Sequence, residues 1–277
     1  MDSLFTSAVA TAGDGAPIAY RSTGSGDDLV IVHGAMQDAT SQRDLAALLA
    51  GRFRVHLMDR RGRGASGPRS GPDGTAREVG DLRAVLEATG ARRVVGVSSG
   101  AIIAARAALE GAPLERLVLF EPPLSLDGSM RLDRLPRFDA AVARGDLPTT
   151  SALGMKLAEM GPAWMFGLPL PVLALASRAM LKDPRRRALA QALPADVTVV
   201  RENAGHVIDF AGISVPTLVV DGTATRPYLR AAAAAVADTV PGAVRVSLEG
   251  QWHSATQNRD EYGQPDVVAP PLLSFLA

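Results

Sequence analysis

Gly96-Val97-Ser98-Ser99-Gly100 sets a serine between two glycines. A serine hydroxyl becomes a nucleophile when it is turned out of the backbone and placed beside a base. The flanks favour the first condition. RRVVGVS from Arg92 is an apolar run of strand type, and Ala101 to Leu109 is an alanine-rich helical segment. A sharp strand-to-helix turn would lift Ser98 Oγ above the carboxyl edge of a sheet. Gly96 and Gly100 remove side chains that would collide there. The same turn aims the Ser99 backbone N–H at the reacting point, and the helix N-terminus adds partial positive charge, so an oxyanion can be held. The bare pentapeptide by itself favours a glycine-rich turn with a capping serine. Its place between a buried strand and a helix favours the catalytic reading.

The chain holds four histidines, His33, His56, His206 and His253. His56 lies inside the apolar run FRVHLMD and reads as a packed core residue. His206 follows Gly205 and faces either a pocket or solvent. His253 follows the last strand-like run, AVRVSLEG, and a neutral imidazole there can take a proton from a hydroxyl. There are no cysteines, which excludes disulfides, thiol nucleophiles and Cys-ligated zinc and fits a cytoplasmic location. No His or carboxylate pair has metal-ligand spacing and no glycine loop matches a nucleotide fingerprint, so no metal or cofactor is expected.

These residues need a scaffold, and hydrophobic patterning supplies one. Leu4–Ala12 and Ile18–Arg21 flank Asp14-Gly15 as a hairpin. DLVIVHG, FRVHLMD, RRVVGVS and RLVLFEPP then alternate with helical segments around Leu45–Leu49, Ala76–Thr89 and Ala101–Leu109. Continuous apolar strands suit burial on both faces, so the fold class is α/β, a mostly parallel sheet with helices on both sides. Alternation fails from about Leu124 to Ile213, a stretch rich in proline, and resumes at VPTLVVDG. The predicted organisation is a core of residues 1–123 and 214–277 with a helical insertion at 124–213. The 29 basic and 29 acidic residues balance, which argues against a nucleic-acid partner. The start, MDSLFTSAVATA, lacks a basic region, and GLPLPVLALA from Gly167 carries two prolines and is too short to span a bilayer, so no membrane span is expected. Asp183-Pro184-Arg185-Arg186-Arg187 reads as a capped helix start with a solvated arginine face. Oligomeric state is not legible.

Several motifs in this order resemble the α/β-hydrolase family, in its small bacterial branch with a helical cap. They are His33-Gly34 after the first buried strand, Asp59-Arg60-Arg61-Gly62-Arg63-Gly64-Ala65-Ser66 after the second, the turn at Ser98, Val215-Pro216-Thr217, and Gly250-Gln251-Trp252-His253. The resemblance implies Ser98 as nucleophile and His253 as base. It implies an oxyanion hole from the amides of Ala35 and Ser99, with Met36 beside it and the His33 ring in a structural role. The Arg60 to Arg63 loop is one the family also makes basic. The insertion would form a lid, and Met155, Met160, Trp164, Met165 and Phe166 would either line an apolar substrate site or pack the lid helices together.

The acid member departs from the family's common pattern. Thr225 stands where an Asp is usual. Some members take the acid from the end of the strand after the nucleophile strand, which here is Glu121. Asp221 is a second candidate, and a Ser–His pair without a carboxylate is a third arrangement. The expected activity is hydrolysis of an ester or lactone, or of a thioester or amide, of a small apolar substrate through an acyl-enzyme. The alternatives are a lyase, cyclase or cofactor-free oxygenase using the same pocket and His253, and a binding protein with a relic site.

Overall fold

A computed structural model describes residues 4–69 and 74–277. Residues 1–3 of the opening segment lie outside them. Eight strands form one sheet in the order β1-β2-β4-β3-β5-β6-β7-β8. They are β1 (Thr6–Thr11), β2 (Pro17–Thr23), β3 (Asp27–Val32), β4 (Phe53–Met58), β5 (Arg93–Val97), β6 (Arg116–Phe120), β7 (Thr217–Gly222) and β8 (Val244–Leu248). β1, β2 and β4 pair antiparallel, and all pairs from β4 across to β8 are parallel. Helices α1 (Arg43–Leu49), α2 (Thr75–Thr89) and α3 (Ser99–Leu109) follow β3, β4 and β5. Between β6 and β7 lie α4 (Leu135–Ala143), α5 (Leu147–Ala158), α6 (Leu170–Met180), α7 (Pro184–Gln191) and α8 (Leu193–Glu202). Then α9 (Pro227–Thr239) follows β7 and α10 (Pro265–Leu276) follows β8.

The continuous apolar runs are strands with a core on each face. Successive residues point to opposite sides of a strand. Val30, Val32, Val94, Leu117 and Leu119 pack with α2, α3 and α9. Their neighbours Leu29, Ile31, Val95, Val118 and Phe120 pack with α1 and α10. His56 is buried in β4 and bonds Ser22 Oγ and Asp28 Oδ1, each at 2.7 Å. His206 is exposed beside Asp209. Among the described residues no helix is long and apolar enough to cross a membrane.

The prolines that interrupt the alternation start helices. Each of α4 to α8 has Pro in its first turn, where a missing N–H costs nothing and the fixed φ suits the helix. Asp146 and Asp183 cap α5 and α7 through the amides of Thr149 and Arg186. The inserted helices share a small core of Phe138, Ala141, Leu153, Leu157 and Leu193, against which Ala35 and Met36 pack. The end of the insertion joins the main body, because Val199, Phe210 and Ile213 belong to the core around α3. The arginine face of α7 differs from its expected solvated state at one residue. Arg185 reaches across to Asp38 (2.8 and 3.0 Å) and Glu261 (2.7 Å), tying α7 to the segment after β3.

Candidate active site

Sheet register places Ser98 and Glu121 side by side. Val97 is level with Phe120, and Phe120 with Val220. The chain runs one residue further on each strand, so Ser98 N–H donates to Phe120 O and Glu121 N–H to Val220 O. Ser98 adopts φ 55°, ψ −123°, a left-handed-side conformation that costs a side-chain-bearing residue energy and is retained where packing enforces it. The enforcement is local. A Cβ on Gly100 would strike the carbonyl oxygens of Val32 and His33, and one on Gly34 would sit 2.8 Å from Ser98 Cβ. The turn therefore lies hard against the end of β3.

His253 arrives from the other side. Its loop follows β8 and is bonded to the loop after β7, with Thr223 N–H on Leu248 O (2.9 Å) and Ala224 N–H on Gln251 O (3.0 Å). His253 Nε2 lies 2.9 Å from Ser98 Oγ, and Nδ1 lies 2.5 Å from Glu121 Oε2. Glu121 is fully buried. Its carboxylate also accepts Gly222 N–H at 2.8 Å and Thr225 Oγ–H at 3.0 Å. Thr225 thus stands beside the carboxylate as a donor to it. Asp221 faces away, held by Arg245 (2.9 and 3.0 Å) and Ser247 (2.9 Å) on β8. A hydroxyl–imidazole–carboxylate chain of this geometry can carry a proton from the hydroxyl to the ring and stabilise the resulting imidazolium.

Ser98 and His253 open into a cavity of about 380 Å³, which Ala35, Met36, Ser99, Met155 and Met160 also line. Trp164, Met165 and Phe166 fall outside that lining, so of the five clustered residues only Met155 and Met160 fit the alternative in which the cluster lines a substrate site. The other three sit in the tight turn Ala163–Gly167, where successive side chains diverge. Trp164 is 69% exposed. The Phe166 ring lies under the Arg226 guanidinium at 4.7 Å, and that guanidinium caps the end of α5 through Glu159 O and Gly161 O. Sequence reasoning missed Leu193, Asp196, Val197 and Val200, which also line the cavity. Their spacing of three and four on α8 marks one helix face, a signal that the proline-rich surroundings obscured.

Below the cavity lies a buried ionic group. Arg60 and Arg63 are fully buried, with Glu78 and Asp196 as partners. The Arg60–Arg63 loop, so far an ordinary basic stretch, is therefore an internal structure. Burial, then the charges of Arg60 and Arg63, lowers the His33 pKa to about 3. The ring is neutral with an assigned tautomer: Nδ1–H donates to Gly34 O at 2.8 Å, and Nε2 accepts Arg60 N–H at 3.2 Å. Burial raises Asp196, but Arg63 and Arg60 outweigh it and hold that carboxyl at about 2.

A sequence model described as the alpha/beta hydrolase family matches residues 29–269. The chain belongs to the alpha/beta hydrolase family. A solved alpha/beta hydrolase from Sphaerobacter thermophilus is 36% identical over 98% of this chain and 100% of its own, with a TM-score of 0.81. A hydrolase from Pseudomonas aeruginosa is 28% identical over 98% of both chains, with a TM-score of 0.73. N-formylmaleamate deformylase of Pseudomonas putida is 40% identical over 114 residues, 39% of this chain. The match spans 42% of that relative's length.

Proposed function

We propose that this alpha/beta hydrolase is a serine hydrolase that cleaves esters or lactones of small, neutral, apolar acids. The Ser98–His253–Glu121 chain of hydrogen bonds carries the reading. His253 Nε2 takes the Ser98 proton as Oγ adds to the carbonyl carbon, and the amides of Ala35 and Ser99 hold the oxyanion. The tetrahedral adduct collapses, the C–O bond to the leaving group breaks, and the imidazolium returns the proton to that oxygen. Water, deprotonated by His253, then adds to the acyl-enzyme and frees the acid and Ser98 Oγ–H. Glu121 keeps Nδ1–H oriented throughout, with Thr225 and Gly222 fixing the carboxylate. The insertion acts as the lid, since α5 and α8 supply much of the cavity wall.

The charge of the cavity supports neutral substrates. Among the described lining residues there is no Lys or Arg, and the one carboxylate, Asp196, is already paired. A carboxylate-bearing substrate such as N-formylmaleamate would be desolvated there without a counter-ion, which costs several kcal/mol, on the order of a hundredfold or more in affinity.

Two measurements test the reading. A fluorophosphonate probe should label Ser98 in the folded protein, located by peptide mapping, and Ser98→Ala should lose both labelling and turnover of p-nitrophenyl butyrate while keeping its circular dichroism. Turnover undiminished in Ser98→Ala would remove the mechanism. Hydrolysis of a p-nitrophenyl hemisuccinate as fast as the butyrate would remove the neutral-substrate assignment.

A further inference from the structure

Both proposed oxyanion donors hang from one buried ionic centre, and part of that centre comes from the lid. The Gly34–Ala35 peptide supplies the first donor. A trans peptide points its C=O and N–H in opposite directions, so the 2.8 Å bond from His33 Nδ1 to Gly34 O sets where Ala35 N–H aims. His33 is held in turn by Arg60 N–H on Nε2 at 3.2 Å. Ser99 supplies the second donor. Its Oγ accepts Arg60 Nη1–H at 3.0 Å and donates to Asp196 Oδ1 at 3.2 Å. Arg60 Nη1 also meets Asp196 Oδ1 at 2.7 Å, and Asp196 Oδ2 lies 2.8 Å from Arg63 Nη2. Asp196 is 2% exposed and sits in the first turn of α8, inside the insertion.

We propose that Asp196 is a positioning residue which makes the oxyanion hole depend on docking of the lid helix α8. The proposal rests on the serine-hydrolase reading and adds to it a coupling between lid and catalytic centre. With α8 seated, Asp196 completes the group, Arg60 is oriented between His33 and Ser99, and both amides point at one spot. With α8 displaced, Arg60 and Arg63 keep Glu78 but lose Asp196, the Ser99 hydroxyl loses its acceptor, and Arg60 Nη1, which donates to both Ser99 Oγ and His33 O, loses the carboxylate that fixes it. Water entering under a lifted lid would then meet an ester whose oxyanion is poorly held.

The positioning role has a sign opposite to simple electrostatics. A carboxylate near the oxyanion disfavours negative charge there, so a through-space effect alone would make Asp196→Asn faster. Misaimed donors make it slower, by roughly 10- to 100-fold, less than outright loss of a donor.

The experiment compares wild type, Asp196→Asn, Ser99→Ala and the double variant on p-nitrophenyl butyrate, with n-butylboronic acid as a mimic of the tetrahedral adduct. Ser98 labelling of wild type by the fluorophosphonate is established first, so failure of the serine reading is seen separately. The expected result is a fall in kcat with KM little changed, a matching loss of boronic acid affinity, and a double variant no worse than the poorer single one. Ser99→Ala preserves the buried charge balance, so it reports even where Asp196→Asn does not fold. Unchanged or raised kcat in either folded variant overturns the proposal. So does a change confined to KM, which would make Asp196 merely a wall of the cavity, or fully additive effects on log kcat.

Discussion

Glu121 receives three hydrogen bonds through two buried oxygens, from His253, Thr225 and Gly222. Removing its charge leaves a neutral amide that can flip and present N–H to Nδ1, and the ring then loses its proper tautomer. We expect Glu121→Gln to lower kcat by roughly 10³–10⁴ with folding retained. Thr225→Val removes one donor to the carboxylate and leaves its charge, so kcat should fall on the order of tenfold. Asp221→Asn should leave kcat unchanged while lowering the urea midpoint, because Arg245 loses its ionic partner within the sheet. A ranking with Asp221→Asn most damaging to kcat would reverse the assignment. The carboxylate's position was only partly legible in the sequence. Pro122-Pro123 marks a strand end at Glu121, but whether a glutamate there reaches His253 is set by the register of β6 between β5 and β7. No local pattern encodes that register.

Among the elements, the insertion is where sequence and structure part most. Alternating apolar runs announced β3 to β7 because each of those strands is buried on both faces, while the edge strand β8 is exposed along most of its length. The lid helices are short and proline-led and share a small core, so their periodicity is weak and neighbours in sequence do not share a face. Met160 lines the cavity, while Trp164, four residues on, is exposed beyond a turn. Met160→Ala should therefore shift preference towards longer acyl chains, read from kcat/KM across acetate to octanoate esters. Trp164→Ala should leave that profile in place and alter stability by less than about 0.5 kcal/mol. Equal effects of both on the acyl profile would put the turn back into the pocket. The ionic group under the site was illegible for a related reason. Arg60 and Asp196 are 136 positions apart in sequence, and nothing in either segment marks the charges as buried partners.

Taken whole, the molecule carries its acid sensitivity inside. The unfolded chain protonates His33 below about pH 6.5, whereas the folded chain leaves it neutral down to about pH 3. Between those values the unfolded state binds more protons, so stability falls as pH falls, by up to about 1.4 kcal/mol per pH unit from this residue. Arg185 overcomes the effect of burial on Asp38 and holds it at about 2, and Asp196 lies equally low. Both therefore stabilise the fold above about pH 4, and that contribution is lost as pH falls towards 2. Urea midpoints measured from pH 7 to 4 should decline, and His33→Asn should flatten the slope; parallel curves would discount the buried ring. The loop after β8 has a different consequence. The serine, the oxyanion loop and the carboxylate all precede the insertion, and the imidazole follows the carboxylate by 132 positions. During synthesis, a growing chain that has not reached residue 253 has no imidazole to accept the Ser98 proton. On the proposed mechanism translation of residue 253 is therefore the step that arms the serine, whatever has folded before it.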